Sequence, residues 1–197
     1  MKVAIFSGGE FENVTPFSYD KLICADKGYL YALKLNLTPN YIIGDFDSYT
    51  NIPSGAEVYP KDKDYSDTHL AIDKAISIGA TEIDLYFALG GRLDHLLFNV
   101  NLLKYASDKG VKLNIISKDY TASLIKGNVK FNAIVDKTIS LVPFSETARI
   151  NNSKGLKYQI KNLTIKKGET LTLSNVAISS EVELEIESGE LILVNFL

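Results

Sequence analysis

Cysteine is nearly missing from this chain: Cys24 is the one such residue among 197. That excludes an intrachain disulfide and a cysteine-rich zinc centre, and it fits a reducing compartment. Histidine is almost as scarce. His69 and His95 are too few for a histidine-rich metal centre, and His69, inside a helical stretch, reads as structural. No apolar stretch approaches the ~20 residues of a membrane-spanning helix. The run from Val3 to Phe6 is far too short for a signal peptide, and Ser7-Gly8-Gly9 breaks it. A cytoplasmic protein without a membrane partner is therefore expected. Positive charge is not in excess either: a net charge of −3 gives no electrostatic reason to expect a nucleic-acid partner. Gly90-Gly91 is not followed by the Gly-Lys-Ser/Thr turn of a Walker A loop, no serine nucleophile elbow is present, and no low-complexity segment or internal repeat stands out.

What is present is an ordinary globular composition, 46% hydrophobic and 23% charged, on a chain long enough for one large domain or two small ones. Up to about residue 120 strand and helix signals alternate. Short apolar runs at residues 3–6, 21–25, 41–43, 58–59, 83–89 and 113–116 read as strands. Residues 29–35, 66–78 and 92–107 read as helices, the second capped by Ser66 and stopped by Gly79. This predicts a largely parallel α/β/α sheet domain over residues 1–120. Beyond it helix periodicity disappears. β-rich runs at 123–125, 128–131, 138–142, 156–165, 170–173, 182–186 and 191–196 recur between turn residues, and Glu181 to Glu187 alternates strictly. An antiparallel β-sandwich over residues 121–197 is expected.

Four constellations fall where strands of the first domain end and helices begin, the ligand-binding end of open α/β sheets. Asp26-Lys27-Gly28 alone reads as a polar turn. Gly44-Asp45-Phe46-Asp47-Ser48 follows an apolar strand. If its backbone stays extended, Asp45 and Asp47 point to one side. Two such carboxylates raise each other's pKa unless a cation intervenes, which suits a hard divalent ion such as Mg²⁺; the plain alternative is an Asx turn. Lys61-Asp62-Lys63-Asp64-Tyr65-Ser66-Asp67 is either a solvated helix entrance or a source of further carboxylates. In Gly90-Gly91-Arg92-Leu93-Asp94-His95 with Asn99, helical spacing lines up Arg92, His95 and Asn99 along one edge of an apolar stripe of Leu93, Leu96, Leu97, Val100 and Leu103. The glycine pair, the helix N-terminus and the Arg92 fork suit phosphate oxygens.

These three ordered motifs, Gly44 to Ser48, Asp64 to Asp67 and Gly90 to His95 with Asn99, resemble those of the thiamine pyrophosphokinases of bacterial type. Gly155-Leu156-Lys157-Tyr158 and Leu173-Ser174-Asn175 resemble two further motifs of that family, so the likeness covers nearly the whole chain. Ser66 stands where the family more often has Thr, and Tyr158 where some members have Trp. The resemblance implies an α/β domain followed by a β-sandwich, a homodimer, and an Mg²⁺-dependent transfer of the diphosphoryl group of ATP to the thiamine hydroxyl, with AMP leaving. It implies that Asp45, Asp47 and Asp67 hold the metal, with Asp64 as a further ligand or water-holder, and that Arg92 binds the transferred phosphates. Asp94 would accept the hydroxyl proton or orient Arg92. Asp26, His95 and Asn99 are counted with the nucleotide contacts. Tyr158, Ser174 and Asn175 would meet thiamine, in a pocket at the dimer interface. Another Mg²⁺-dependent phosphoryl-transfer enzyme, or a non-catalytic nucleotide or thiamine sensor, is the alternative.

Overall fold

Short β-branched and apolar runs bounded by glycine and polar turns become the strands of the first unit, Met1–Lys118, and the second unit comprises Asp119–Leu197. The structure is a computed structural model that describes residues 1–14, 16, 18–47 and 51–197. Ser48, named with the acidic motif, lies outside the described residues.

In the first unit, β1 (Lys2–Phe6), β2 (Lys21–Ala25), β3 (Tyr41–Gly44), β4 (Glu57–Val58), β5 (Glu82–Tyr86) and β6 (Lys112–Ile116) pair in the order β6-β5-β1-β2-β3-β4, all parallel. The inner strands read as continuous apolar runs because both faces are covered: Val3, Ile5, Leu22, Ile23, Ile83 and Leu85 are fully buried. Helix α1 (Gly28–Lys34) follows β2, α2 (Asp67–Ser77) precedes β5, and α3 (Leu93–Asp108) follows it. Ser66 caps α2, its hydroxyl accepting the His69 N–H at 3.3 Å, and Asp67 sits in the first turn where the helix dipole favours a carboxylate. Strand order runs one way from β1 to β4 and the other way from β1 to β6. The reversal, at β1 and β5, is the topological switch point where such sheets hold ligands.

The burial of α3 differs from the expected stripe. Leu93 and Leu97 are exposed, and the buried residues are Asn99, Leu102, Leu103 and Ala106. Asn99 is the N-terminal end of the core face rather than a residue beside it, because the apolar arc of this helix is wider than the sheet covers.

In the second unit, β7 (Tyr120–Ile125), β9 (Thr138–Pro143), β14 (Leu191–Phe196) and β12 (Asn175–Val176) pair in the order β12-β9-β14-β7. β8 (Asn128–Asn132), β10 (Thr147–Lys154), β11 (Lys161–Lys166) and β13 (Glu181–Ser188) pair in the order β11-β10-β13-β8. These pairings are antiparallel. One core, including Ile139, Ile150, Ile165, Leu184 and Leu193, draws side chains from both groups of strands, as in a sandwich. Two expected strands change. Residues 156–165 are not one strand: Leu156 makes an isolated bridge to Ala177 and β11 begins only at Lys161. Residues 170–173 lie in turn rather than strand.

Candidate active site

The ends of β1, β2 and β5 and the starts of α2 and α3 line one cavity of about 500 Å³, within the roughly 300–1,000 Å³ typical of small-molecule sites. Its wall includes Ser7-Gly8-Gly9 from β1, Asp26 and Lys27 after β2, the segment from Lys63 to Thr68, and Gly90, Gly91, Arg92, His95 and Asn99.

The acidic side begins with a close approach of two strand ends. A Cβ at Gly44 would come within 3.1 Å of the Asp26 Cα, so glycine there brings the Asp26 turn against the start of the Asp45 loop. The loop does not stay extended. Phe46 is buried with φ 52°, and the Asp47 N–H turns back to Asp45 Oδ1 at 3.2 Å. Asp45 and Asp47 therefore face different partners. Asp45 Oδ2 accepts from Lys63 Nζ at 2.6 Å, while Asp47 lies 3.6 Å from Lys61 Nζ. Lys63 Nζ also lies 3.3 Å from Asp67 Oδ1.

Charge follows this geometry. The short Lys63 contact holds the Asp45 carboxyl below its usual range. Burial pushes the Asp67 carboxyl up, and its longer contact to Lys63 does not offset that. Burial also raises Asp26, reinforced by the negative charges of Asp67, Asp45 and Asp47. Four carboxylates thus share a space with two ammonium groups. Among the described residues no three His, Cys, Asp or Glu groups are gathered closely enough to form a ready-made metal cage. The all-oxygen donor set and its surplus of negative charge nevertheless suit a hard divalent ion that also takes ligands from a polyphosphate.

The opposite side is built by the β5–α3 connection. Gly90 has φ +79°, and a Cβ there would meet the Glu10 carboxylate within 2.7 Å. Glu10 Oε1 accepts the Gly91 N–H at 3.1 Å. The glycine pair does face an anion, and the anion in this structure is Glu10. Asn99, buried, donates to the Ala88 carbonyl at 2.7 Å and ties α3 to the end of β5. Ser7 and Thr68 hydroxyls meet at 2.6 Å and tie β1 to α2. Arg92 is an exposed fork held by Asp94, which also accepts the His95 N–H at 2.9 Å. The Arg92 contact brings the Asp94 carboxyl down to about 2.

Asp64 and His95 are exposed at the cavity wall. His69 is packed between the rings of Tyr65 and Tyr105, in keeping with a structural role. Tyr158, Ser174 and Asn175 belong to the second unit. Tyr158 is 61% exposed and Asn175 is buried. The Asn175 amide accepts the Tyr158 N–H at 3.0 Å and donates to the Tyr158 carbonyl at 2.7 Å, and Ser174 N–H donates to Ser140 Oγ at 3.0 Å. Sequence reasoning missed Lys63 and Glu10 as site residues. Lys63 lies in the charged run before α2, where nothing in the local pattern marks it as reaching Asp45 and Asp67; nothing local marks Glu10 either.

A parallel sheet whose switch point opens into a crevice lined by carboxylates, an arginine and a helix start defines the class: an α/β protein with a polar ligand crevice, followed by a β-sandwich. Residues 17–115 match the family described as "Thiamin pyrophosphokinase, catalytic domain", and residues 126–192 match "Thiamin pyrophosphokinase, vitamin B1 binding domain". The chain belongs to the thiamine pyrophosphokinase family, kinase-type transferases that make thiamine diphosphate from thiamine and ATP. It is 32% identical to the thiamine pyrophosphokinase of Bacillus subtilis over 182 residues, 87% of this chain and 85% of that one. The crystal structure of a Bacillus subtilis thiamine pyrophosphokinase superposes with a TM-score of 0.89 at 29% identity, covering 100% of this chain and 99% of that one. The Geobacillus thermodenitrificans thiamin pyrophosphokinase superposes with 0.85 at 28% identity, covering 100% and 98%.

Proposed function

We propose that the crevice of the first unit (catalytic domain) binds ATP with Mg²⁺, and that the thiamine hydroxyl attacks the β-phosphorus of ATP there, releasing AMP. The observation that carries this reading is one cavity lined by Asp67, Lys63, the glycine pair and Arg92, with Asp45 joined to it through Lys63. Mg²⁺, when bound, neutralises polyphosphate charge and orients its oxygens. Asp45 and Asp67 would hold it, with Asp47 and Asp64 as further ligands or water-holders. Arg92 binds the transferred phosphates, since such transfers rest on positioning and charge neutralisation. Asp94 would orient the Arg92 fork, to which it is hydrogen-bonded twice; that contact holds its carboxyl low and makes it the poorer candidate for taking the hydroxyl proton. Asp26, His95 and Asn99 line the nucleotide side.

The second unit (thiamine-binding domain) would supply the acceptor pocket. Tyr158 offers its ring to the thiamine cation, Ser174 a hydroxyl to the aminopyrimidine, and Asn175 holds the Tyr158 main chain in place. A cytoplasmic homodimer with its active site near the subunit interface completes the proposal. Leu93, Leu97 and Phe98 leave an apolar face of α3 exposed in the single chain, and no helix among the described residues is long and apolar enough to cross a membrane. Asp45→Asn and Asp67→Asn test the seat: each is expected to abolish thiamine diphosphate formation with its thermal transition intact. Normal product from either variant removes that residue from the mechanism.

A further inference from the structure

Lys63 stands out among the groups that the acceptor and donor chemistry leave unassigned. Its ammonium sits between Asp45 Oδ2 at 2.6 Å and Asp67 Oδ1 at 3.3 Å. Its side chain is 13% exposed, and the contact to Asp45 is partly buried. Asp45 has little left to offer, because its other oxygen accepts the Asp47 N–H. A divalent ion held by Asp45 and Asp67 would compete with Lys63 for Asp45 Oδ2 and Asp67 Oδ1. Two cations cannot share that space, because like charges so close repel strongly in a partly buried site. Lys63 also lines the cavity that Arg92 faces, and its flexible four-carbon stem lets the ammonium move without moving the backbone.

We propose that Lys63 is a competing counter-ion of the metal seat, which bridges Asp45 and Asp67 by itself and turns to the polyphosphate oxygens when a metal–nucleotide complex takes those carboxylates. The proposal rests on the Mg²⁺ seat described under Proposed function. It makes Lys63 a coupling device: metal without nucleotide must expel an ammonium that has nowhere better to go, whereas metal with nucleotide gives it a phosphate partner. The seat is thereby tuned to the complex over the free ion. An ammonium holding the carboxylates nine-tenths of the time lowers the affinity of a competitor about tenfold.

Titration of the full-length protein with Mn²⁺, followed by the electron paramagnetic resonance of the free ion, tests this without turnover. In the absence of nucleotide, Lys63→Met is expected to bind Mn²⁺ roughly tenfold more tightly than the parent. Lys61→Met, which removes the same charge from the exposed partner of Asp47, is expected to change it less than about twofold. Lys63→Gln, closer in length and polarity, carries the same expectation as Lys63→Met should the latter not fold. In turnover, Lys63→Met should raise the KM for ATP at least about fivefold, with kcat changed less, and Lys63→Arg should restore most of it. Unchanged or weaker Mn²⁺ binding in the Lys63 variants overturns the proposal, as does equal tightening by Lys61→Met, which would mean general charge alone. An unaltered KM for ATP also overturns it. Asp45→Asn separates the two readings. If that variant still binds Mn²⁺ like the parent, the seat itself is misplaced and the proposal falls with it. If it loses Mn²⁺ while the Lys63 variants show no gain, only the role of Lys63 is wrong.

Discussion

Arg92 and Asp94 are locked together by two hydrogen bonds, from Nε at 3.1 Å and from an Nη at 2.6 Å, at the mouth of the cavity. A guanidinium held as a fork presents its remaining N–H groups in a fixed direction, which is what bidentate recognition of a phosphate requires. Arg92→Ala is expected to lower kcat/KM at least roughly thirtyfold, as loss of a transition-state charge contact does. An unchanged kcat/KM would take Arg92 off the transferred phosphates.

The same pair sets a pH behaviour. The Asp94 carboxyl is depressed to about 2, below its unfolded value of about 3.9. Its favourable contribution is therefore present above that unfolded value and is lost as pH falls through about 2. Asp94 should contribute no ionisation to the activity profile above about pH 4. A carboxyl-carbon NMR titration is expected to place its midpoint close to 2 in the parent and nearer 3.9 in Arg92→Gln. A midpoint near neutrality would restore Asp94 as the candidate proton acceptor.

Asp45 and Asp47 should not be equivalent. Asp45 is inside the carboxylate group against Lys63, whereas the Asp47 side chain is 51% exposed against Lys61. Asp45→Asn is expected to abolish turnover, and Asp47→Asn to leave a measurable residue of it, with an increased Mg²⁺ requirement. Steady-state rates across a Mg²⁺ series decide this, and the reverse order would show that the loop rearranges around the metal.

Asn175 acts on Tyr158 from below. Asn175→Ala removes both bonds to the Tyr158 main chain and leaves partly buried groups unpaired, a cost of about 1 kcal/mol, read by urea denaturation. It should also raise the KM for thiamine more than that for ATP. Tyr158→Phe keeps the ring and should behave like the parent, whereas Tyr158→Ala should raise the thiamine KM. An effect on ATP alone would move the acceptor pocket away from this turn.

Gly28 is a packing requirement rather than a site residue. A Cβ there would fall 2.0 Å from the Phe6 carbonyl oxygen, backbone that cannot step aside. Gly28→Ala is expected to destabilise the first unit by about 1–3 kcal/mol, measured by the denaturation midpoint, with normal stability arguing that β1 and α1 are not so tightly apposed.

Legibility in the sequence followed local periodicity. The inner parallel strands were readable because both faces are apolar, and α2 because Ser66 and Asp67 mark its start. β10 was not readable: Thr147–Lys154 offers Ala148 and Ile150 amid polar residues, and register shifts around Ile150 break the alternation. On α3, Leu93 and Leu97 look like core by spacing yet are left uncovered. At the site, residue types were legible but their partners were not. The Asx turn at Asp47 was the plain alternative, and the left-handed Phe46 that accompanies it has no local signature. Lys63 reaches Asp45 across 18 positions, and Glu10 reaches Gly91 across 81; such pairings depend on how the strand ends meet.

Diphosphoryl transfer is read most directly from the product ratio when the purified protein is given ATP, Mg²⁺ and thiamine. AMP and thiamine diphosphate are expected in equal amounts, with neither formed when thiamine is left out. ADP with thiamine monophosphate, or AMP released at the same rate without thiamine, would rule diphosphoryl transfer out.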